Sequence, residues 1–142
     1  MVALALCLAF GISLAGAGNG FDGLIEQGQV QAREGKLDEA LATLQRAVDS
    51  EPRSSLAYTR LGGVQVLRQE YGASIKSFQQ AIMLDQGNAD AFIGMAVAYL
   101  HTGQYQMARE ALKEAGELAP AKKQEIGNVL AWLDQRSGET GH

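Results

Sequence analysis

The chain has 142 residues, of which 46% are apolar and 20% are charged, and its net charge at pH 7 is −4. This balance excludes wholesale disorder, and the absence of a basic excess argues against nucleic-acid binding. The single cysteine excludes an intrachain disulfide and a zinc site built from cysteines. The length favours about one domain, for which ~100–200 residues is usual.

The N-terminal residues 2–18 form an uncharged, largely apolar run. As a helix it would span about 25 Å, slightly less than the ~30 Å hydrocarbon core of a bilayer. The run ends in Ala15-Gly16-Ala17, a cleavage pattern of secretory signal peptides, although no Lys or Arg precedes the run. Residues 1–20 are therefore predicted to be a signal peptide cleaved after Ala17, or else an uncleaved membrane anchor. Either places the protein outside the cytoplasm, as an exported or periplasmic protein. The alternative is that the run is a buried hydrophobic helix of a cytosolic domain.

Two motifs in and just after this segment could indicate lipidation or dinucleotide binding, and neither interpretation is favoured. Leu6 precedes Cys7, where a lipoprotein signal would need a small residue, so lipidation at Cys7 is not expected. Residues 18–23, GNGFDG, match the G-x-G-x-x-G string of dinucleotide-binding sites. That site also needs parallel strands, and nothing after residue 23 has the pattern of a buried strand. The glycines are interpreted as a flexible connection.

From residue 21 the chain repeats every 34 residues, in the units 21–54, 55–88 and 89–122. Each unit shows two helical patterns joined by a short turn, which predicts helices near 22–34, 38–50, 55–68, 72–85, 89–102 and 106–118. Small residues recur in phase at the eighth, twentieth and twenty-seventh positions, where we expect helices to approach closely. In order, they are Gly28, Gly62 and Ala96; Ala40, Ser74 and Ala108; and Ala47, Ala81 and Ala115.

This pattern resembles the tetratricopeptide repeat (TPR) family, whose 34-residue units carry phased small, large and proline positions. The residues that carry the resemblance lie mainly in the second and third units. They are Tyr58, Leu61, Gly62, Ser74, Phe78 and Ala81, then Phe92, Met95, Ala96, Tyr99, Gly103, Ala108, Leu112, Ala115 and Pro120. The first unit departs, since Gln27 and Gln31 stand where Leu and Tyr are expected. The resemblance implies an all-α helix–turn–helix solenoid, an α–α superhelix, over residues 21–136.

The C-terminal part of the chain predicts a capping helix over residues 121–136. Ile126, Val129, Leu130 and Leu133 recur on one face at helical spacing. A terminal helix of this kind, apolar inward and polar outward, is what a solenoid needs at its end. Residues 137–142 are predicted to be a disordered tail.

No constellation of residues predicts catalysis. His101 and His142 are the only histidines, and no Ser or Cys nucleophile has a histidine partner at a plausible position. The charged residues are spread at helical spacing, which is typical of a solvated face, and Trp132 is interpreted as packing on the capping helix. We therefore expect no enzyme activity, no metal, no cofactor and no small-molecule substrate.

The resemblance implies a binding surface, because in the family the first helix of each unit lines a concave face. The residues at the family's contact positions or beside them are Ile25, Gln29, Arg33, Thr59, Arg60, Gly63, Ile93, Val97, Leu100 and His101. The family's carboxylate clamp needs Lys and Asn where Ile25 and Gln29 stand, so the clamp is not supplied. An apolar groove with a polar rim suits an amphipathic helix or an extended apolar peptide. Some of these side chains, Leu100 among them, could instead pack against neighbouring helices.

Two functions follow from these predictions. The first is an exported or membrane-tethered scaffold that binds a protein or peptide partner in the concave groove. The alternative is a non-catalytic structural subunit, held permanently in a membrane complex by an uncleaved N-terminal segment. The first hypothesis also predicts that Ile25, Ile93 and Val97 are more exposed than core residues such as Phe78 and Leu112.

Overall fold

A computed structural model describes residues 20–139, and within that range every regular element is helical. The predicted all-α, helix–turn–helix fold class is confirmed. The helices are α1 (Phe21–Arg33), α2 (Leu37–Ser50), α3 (Ser55–Leu67), α4 (Tyr71–Leu84), α5 (Ala89–His101), α6 (Tyr105–Leu118) and α7 (Lys123–Glu139). A 3₁₀ turn, Pro120–Lys122, precedes α7. The predicted signal peptide or anchor lies outside the described residues, apart from Gly20.

The chain divides into two compact units at the boundary between Arg53 and Ser54. In the first unit, α1 packs against α2 as a helical hairpin. The close approach depends on Gly28, since a Cβ there would lie 2.5 Å from Cγ of Leu44. The predicted small residue at the eighth position of the first repeat is thus required by the side chain that faces it.

In the second unit, α3 pairs with α4 and α5 pairs with α6, and α5 also packs against α4 and α3. Phe78 of α4 is 2% exposed and lies against two helices at once. A Cβ at Gly62 would lie 2.8 Å from its ring, and a Cβ at Gly94 would overlap the ring. One aromatic side chain therefore sets the spacing of α3 and α5 around α4.

The turn inside each repeat has the same geometry three times. Its central residue, Gly35, Gln69 or Gly103, has a positive φ of 77°, 62° or 74°. In the first turn, Gly35 N donates to Ala32 O and Lys36 N donates to Gln31 O, and both bonds recur in the other two turns. This is the Schellman arrangement, which satisfies the last carbonyls of a helix and reverses the chain.

The positions predicted to be small are buried. Ala40, Ser74 and Ala108 have no exposed surface, and the same holds for the alanines at the twenty-seventh position of each repeat. A larger side chain at these positions would have to push neighbouring helices apart. The register assigned from the sequence is therefore the register of the packing.

Helix α7 packs against α6 through its apolar face, as predicted for the capping helix. Ile126 and Leu133 are buried, and Val129 and Leu130 are partly buried against the same core cluster. The helix begins two residues later than predicted, because Pro120 opens the 3₁₀ turn. It continues through residues 137–139, which were assigned to a disordered tail, since no proline stops it and Ser137 Oγ donates to Asp134 O at 3.0 Å.

Between residues 20 and 139, no helix combines the length and the apolar character that crossing a bilayer requires.

Candidate partner-binding site

An apolar groove lies between α5 and α7 in the second unit, with a volume of about 180 Å³. This volume is of the order of the ~150 Å³ engineered cavity that accommodates benzene, so one large apolar side chain fits into it. Its lining residues are Ile93, Ala96, Val97, Leu100, Leu112, Lys122, Glu125, Ile126 and Val129. We call this site the α5–α7 groove.

The helical repeat explains why these side chains meet. Ile93, Ala96, Val97 and Leu100 stand at spacings of three and four along α5 and therefore share one face. Ile126 and Val129 do the same on α7, and Leu112 of α6 forms the floor. The groove therefore forms because the capping helix continues the 34-residue repeat. Its apolar residues lie beside those of α5 in the third repeat.

Two residues of the groove are more exposed than the core, as predicted. Ile93 and Val97 are partly exposed, whereas Phe78 is 2% and Leu112 is 5% exposed. The same prediction does not hold for Ile25, which is 7% exposed and so is buried almost as deeply as Leu112. Leu24, the residue before it on α1, is buried as well, at 3% exposed.

The rim of the α5–α7 groove carries two charged residues. Lys122 Nζ lies 2.6 Å from Oδ1 of Asp90, so its charge is compensated within the chain. Glu125 is exposed, and no described residue between 20 and 139 forms an ion pair or a hydrogen bond with its carboxylate. The rim therefore presents one neutralised cation and one uncompensated anion.

A second, more polar pocket of about 350 Å³ lies next to the groove and shares Lys122 with it. Asn88, the N-cap of α5, donates to Ser55 Oγ at 2.7 Å and to Thr59 Oγ1 at 2.9 Å. Its Oδ1 accepts from the backbone N–H of Ala91. This network fastens the start of α5 to α3.

The predicted site residue Thr59 belongs to that network. It is 8% exposed, and its hydroxyl donates to Ser55 O at 2.8 Å while accepting from Asn88. Because its hydrogen bonds are made inside the fold, Thr59 holds α3 and α5 together rather than offering a free polar group. Arg60, one residue on, is half-buried and lines the polar pocket.

The remaining predicted site residues lie apart from the α5–α7 groove. Gln29 is half-buried on α1. Arg33 is exposed, and its Nη2 lies 3.9 Å from Oε1 of Glu26. Gly63 on α3 has open space where a side chain would be. The ring of His101 stacks on Tyr71, with centroids 4.9 Å apart and planes 11° apart.

Sequence reasoning placed one wall of the groove on α5 and missed the other on α7. Ile126 and Val129 were assigned to core packing, and Lys122 and Glu125 were assigned no role. The signal was present, because α7 repeats the spacing of the first helix of a fourth unit. Because α7 stands where the first helix of a fourth repeat would, part of its apolar face lies towards α5, the first helix of the third repeat.

No metal-binding cluster is found among the described residues. Among residues 20–139, no group of three or more His, Cys, Asp or Glu side chains is arranged to hold a metal ion. The arrangement of the α5–α7 groove, apolar walls with charges only at the rim, suits non-covalent binding of an apolar side chain.

Family comparisons give two matching family models, both described as tetratricopeptide repeat. One matches residues 25–91 and the other matches residues 65–133. Among curated proteins, the PEX5-related protein of Homo sapiens is 31% identical over 91 residues, which is 64% of this chain and 14% of that protein. The chain thus spans about a seventh of that relative's length.

Two solved structures show the same fold. The first TPR of Spaghetti (RPAP3) bound to the HSP90 peptide SRMEEVD is 19% identical, with a TM-score of 0.79 over 86% of this chain and 95% of that chain. The Yersinia enterocolitica type III secretion chaperone SycD, in complex with a peptide of the translocator YopD, is 18% identical. Its TM-score is 0.76 over 82% of this chain and 93% of that chain. At these identities the likeness establishes the fold.

Proposed function

The chain is built from tetratricopeptide repeats, and on that premise we propose that it is a non-catalytic protein-interaction module that binds a segment of a partner protein in the α5–α7 groove. The observation that carries this proposal is the groove itself. Ile93, Val97 and Leu100 leave apolar surface open between two helices, in a cavity large enough for an apolar side chain. Exposed apolar surface of this kind commonly marks an interaction site.

The structural relatives support the mode of binding and leave the partner open. One of them is bound to an HSP90 peptide and another to a YopD peptide, on folds that superpose on this chain. Two different peptides on one fold indicate that the repeats supply a surface and that individual side chains choose the ligand. The partner of this chain is therefore to be sought through its own groove residues.

The test is capture of partners from the membrane and soluble fractions of the source cells. The variant Ile93→Glu/Val97→Glu places two charges on one wall of the groove and should lose the partner recovered by the wild type. Both side chains are partly exposed, so the fold should survive with a cost of about 1 kcal/mol. Circular dichroism checks that it does.

A matched control keeps the interpretation specific. Met83 of α4 is 75% exposed and does not line the groove, so Met83→Glu adds a charge elsewhere and should retain the partner. Recovery of the same partner at equal yield by wild type and by the folded double variant would exclude the groove. Another surface of the protein would then bind the partner, and the structural-subunit hypothesis would be favoured.

The location of the protein is a separate part of the proposal. The uncharged run over residues 2–18 and its Ala15-Gly16-Ala17 end support export or tethering to a membrane. Mass spectrometry of the native N-terminus distinguishes the two forms. A mature chain that begins at Gly18 supports an exported module, and one that retains residues 2–18 in a membrane complex supports the structural subunit.

A further inference from the structure

The rim of the α5–α7 groove is electrically asymmetric. Lys122 and Glu125 are the two charged residues among those that line it, and Lys122 is held by Asp90 at 2.6 Å. Within residues 20–139, no side chain or backbone group pairs with the carboxylate of Glu125. The neighbouring Lys123 lines a different pocket, beside Glu117 on the α6 side of α7. A ligand in the groove therefore meets one uncompensated negative charge.

This asymmetry has a direct consequence for the choice of ligand. A peptide that seats an apolar side chain between Val97 and Val129 excludes water from the groove and brings its flanking side chains to the rim. Charge pairs gain strength as water is excluded, and like charges brought together are penalised. An acidic flank would be repelled by Glu125 and would have to compete with Asp90 for Lys122. A basic flank finds a free carboxylate.

Resting on the proposed function, we propose that the partner segment of this groove pairs an apolar side chain with a Lys or Arg within one helical turn of it. The apolar side chain occupies the space between α5 and α7, and the basic side chain forms an ion pair with Glu125. The groove wall from Ile93 to Leu100 rises about 10 Å, or roughly two turns of helix, so both groups can be presented by a short segment. The partner class is an apolar-basic segment of another protein.

The experiment is selection of random twelve-residue peptides displayed against the full chain, immobilised through its N-terminus. Wild type should enrich peptides in which Lys or Arg lies within four residues of a large apolar residue. Glu125→Lys should reverse the preference and enrich Asp or Glu at those places. The control Glu114→Lys makes the same change of charge at an exposed residue of α6 outside the groove, which has no partner within residues 20–139. It should select like the wild type.

Fluorescence anisotropy with the best wild-type peptide gives the size of the effect. Glu125→Lys should weaken its binding about five- to tenfold, as expected for loss of one rim charge pair and its replacement by a repulsion. Raising the salt concentration should weaken binding to the wild type more than binding to Glu125→Gln. Val97→Glu should abolish binding.

The outcomes separate this inference from the function on which it rests. Enrichment of acidic peptides by the wild type, or an unchanged preference in Glu125→Lys, overturns the basic-partner inference while Val97-dependent binding still supports the groove. Peptides that bind Val97→Glu as well as wild type overturn both. A synthetic peptide of residues 2–18, which has no charge, should not compete. Equal competition on wild type and Glu125→Lys would show that the chain's own apolar segment fills the groove, and would overturn the inference.

Discussion

The first and second repeats contain the same residue at the same place with opposite consequences. Gln31 in α1 and Gln65 in α3 both stand at the eleventh position of their repeat. In the second unit, Oε1 of Gln65 accepts a hydrogen bond of 2.6 Å from Ser77 Oγ. In the first unit, Oε1 of Gln31 is buried and has no partner within the described residues. One amide is satisfied and the other is not.

The third repeat shows a different solution at these positions. Tyr99 takes the place of the glutamine, and Ala111 takes the place of Ser77. Both are buried, and they belong to the same apolar cluster. A buried acceptor without a hydrogen bond costs about 1–3 kcal/mol, whereas apolar groups of matching shape can replace a bonded pair at little cost. The repeat pattern therefore fixes which positions face each other, and the residues that fill them decide how well each hairpin holds.

The largest effect is expected where every repeat agrees. Ala40→Leu in the first unit and Ala108→Leu in the second each place a large side chain at a fully buried helix contact. Each should destabilise the protein by about 1–3 kcal/mol, because overpacking forces the helices apart. Urea unfolding followed by circular dichroism measures this loss. Unchanged midpoints for both variants would contradict the assigned register.

The comparison itself is tested by one substitution made twice. Gln31→Met removes an unsatisfied oxygen and should stabilise the protein by about 1 kcal/mol. Gln65→Met removes the acceptor of Ser77, which is buried, and should destabilise it by about 1–2 kcal/mol. The two variants should move the unfolding midpoint in opposite directions. Shifts of the same sign would mean that the two positions do not differ as described.

The smallest effect is expected at the turns. Gln69 holds a positive φ at the place where Gly35 and Gly103 stand in the other repeats. Gln69→Gly should stabilise the protein by about 0.5 kcal/mol, because glycine adopts this conformation without a steric penalty. The higher conformational entropy of glycine in the unfolded chain offsets part of this gain. Thermal unfolding measures the gain. Gly103→Ala is the reciprocal control and should lower the melting temperature.

The sequence was sufficient for the helices and their register because both depend on residues that recur in phase. Local steric constraints explain these residues, which are the prolines, the turn glycines and small residues such as Gly28 and Ala108. Hydrogen-bond partners at non-repeating positions could not be predicted in this way. Nothing in the 34-residue pattern indicates that Asn88 fastens Thr59, or that Gln31 lacks what Gln65 has.

The candidate site was predicted in part for a similar reason. Ile93 and Val97 follow from their places on the first helix of a repeat, and the structure leaves both partly exposed. Ile25 occupies the equivalent place of Ile93 in the first repeat, yet it is buried. Exposure depends on what packs beside a helix, and a periodic pattern does not contain that information. The contribution of Val129 and Glu125 likewise depended on seeing α7 beside α5.

The central claim, that the α5–α7 groove binds the partner segment, is tested most directly by methyl NMR. The full chain is labelled at Ile and Val methyl groups and titrated with the best peptide selected by the wild type. We expect saturable shifts at Ile93, Val97 and Val129, with Val48 in the first unit and Val64 in the core of the second unchanged. Shifts confined to methyl groups outside the groove would contradict the account.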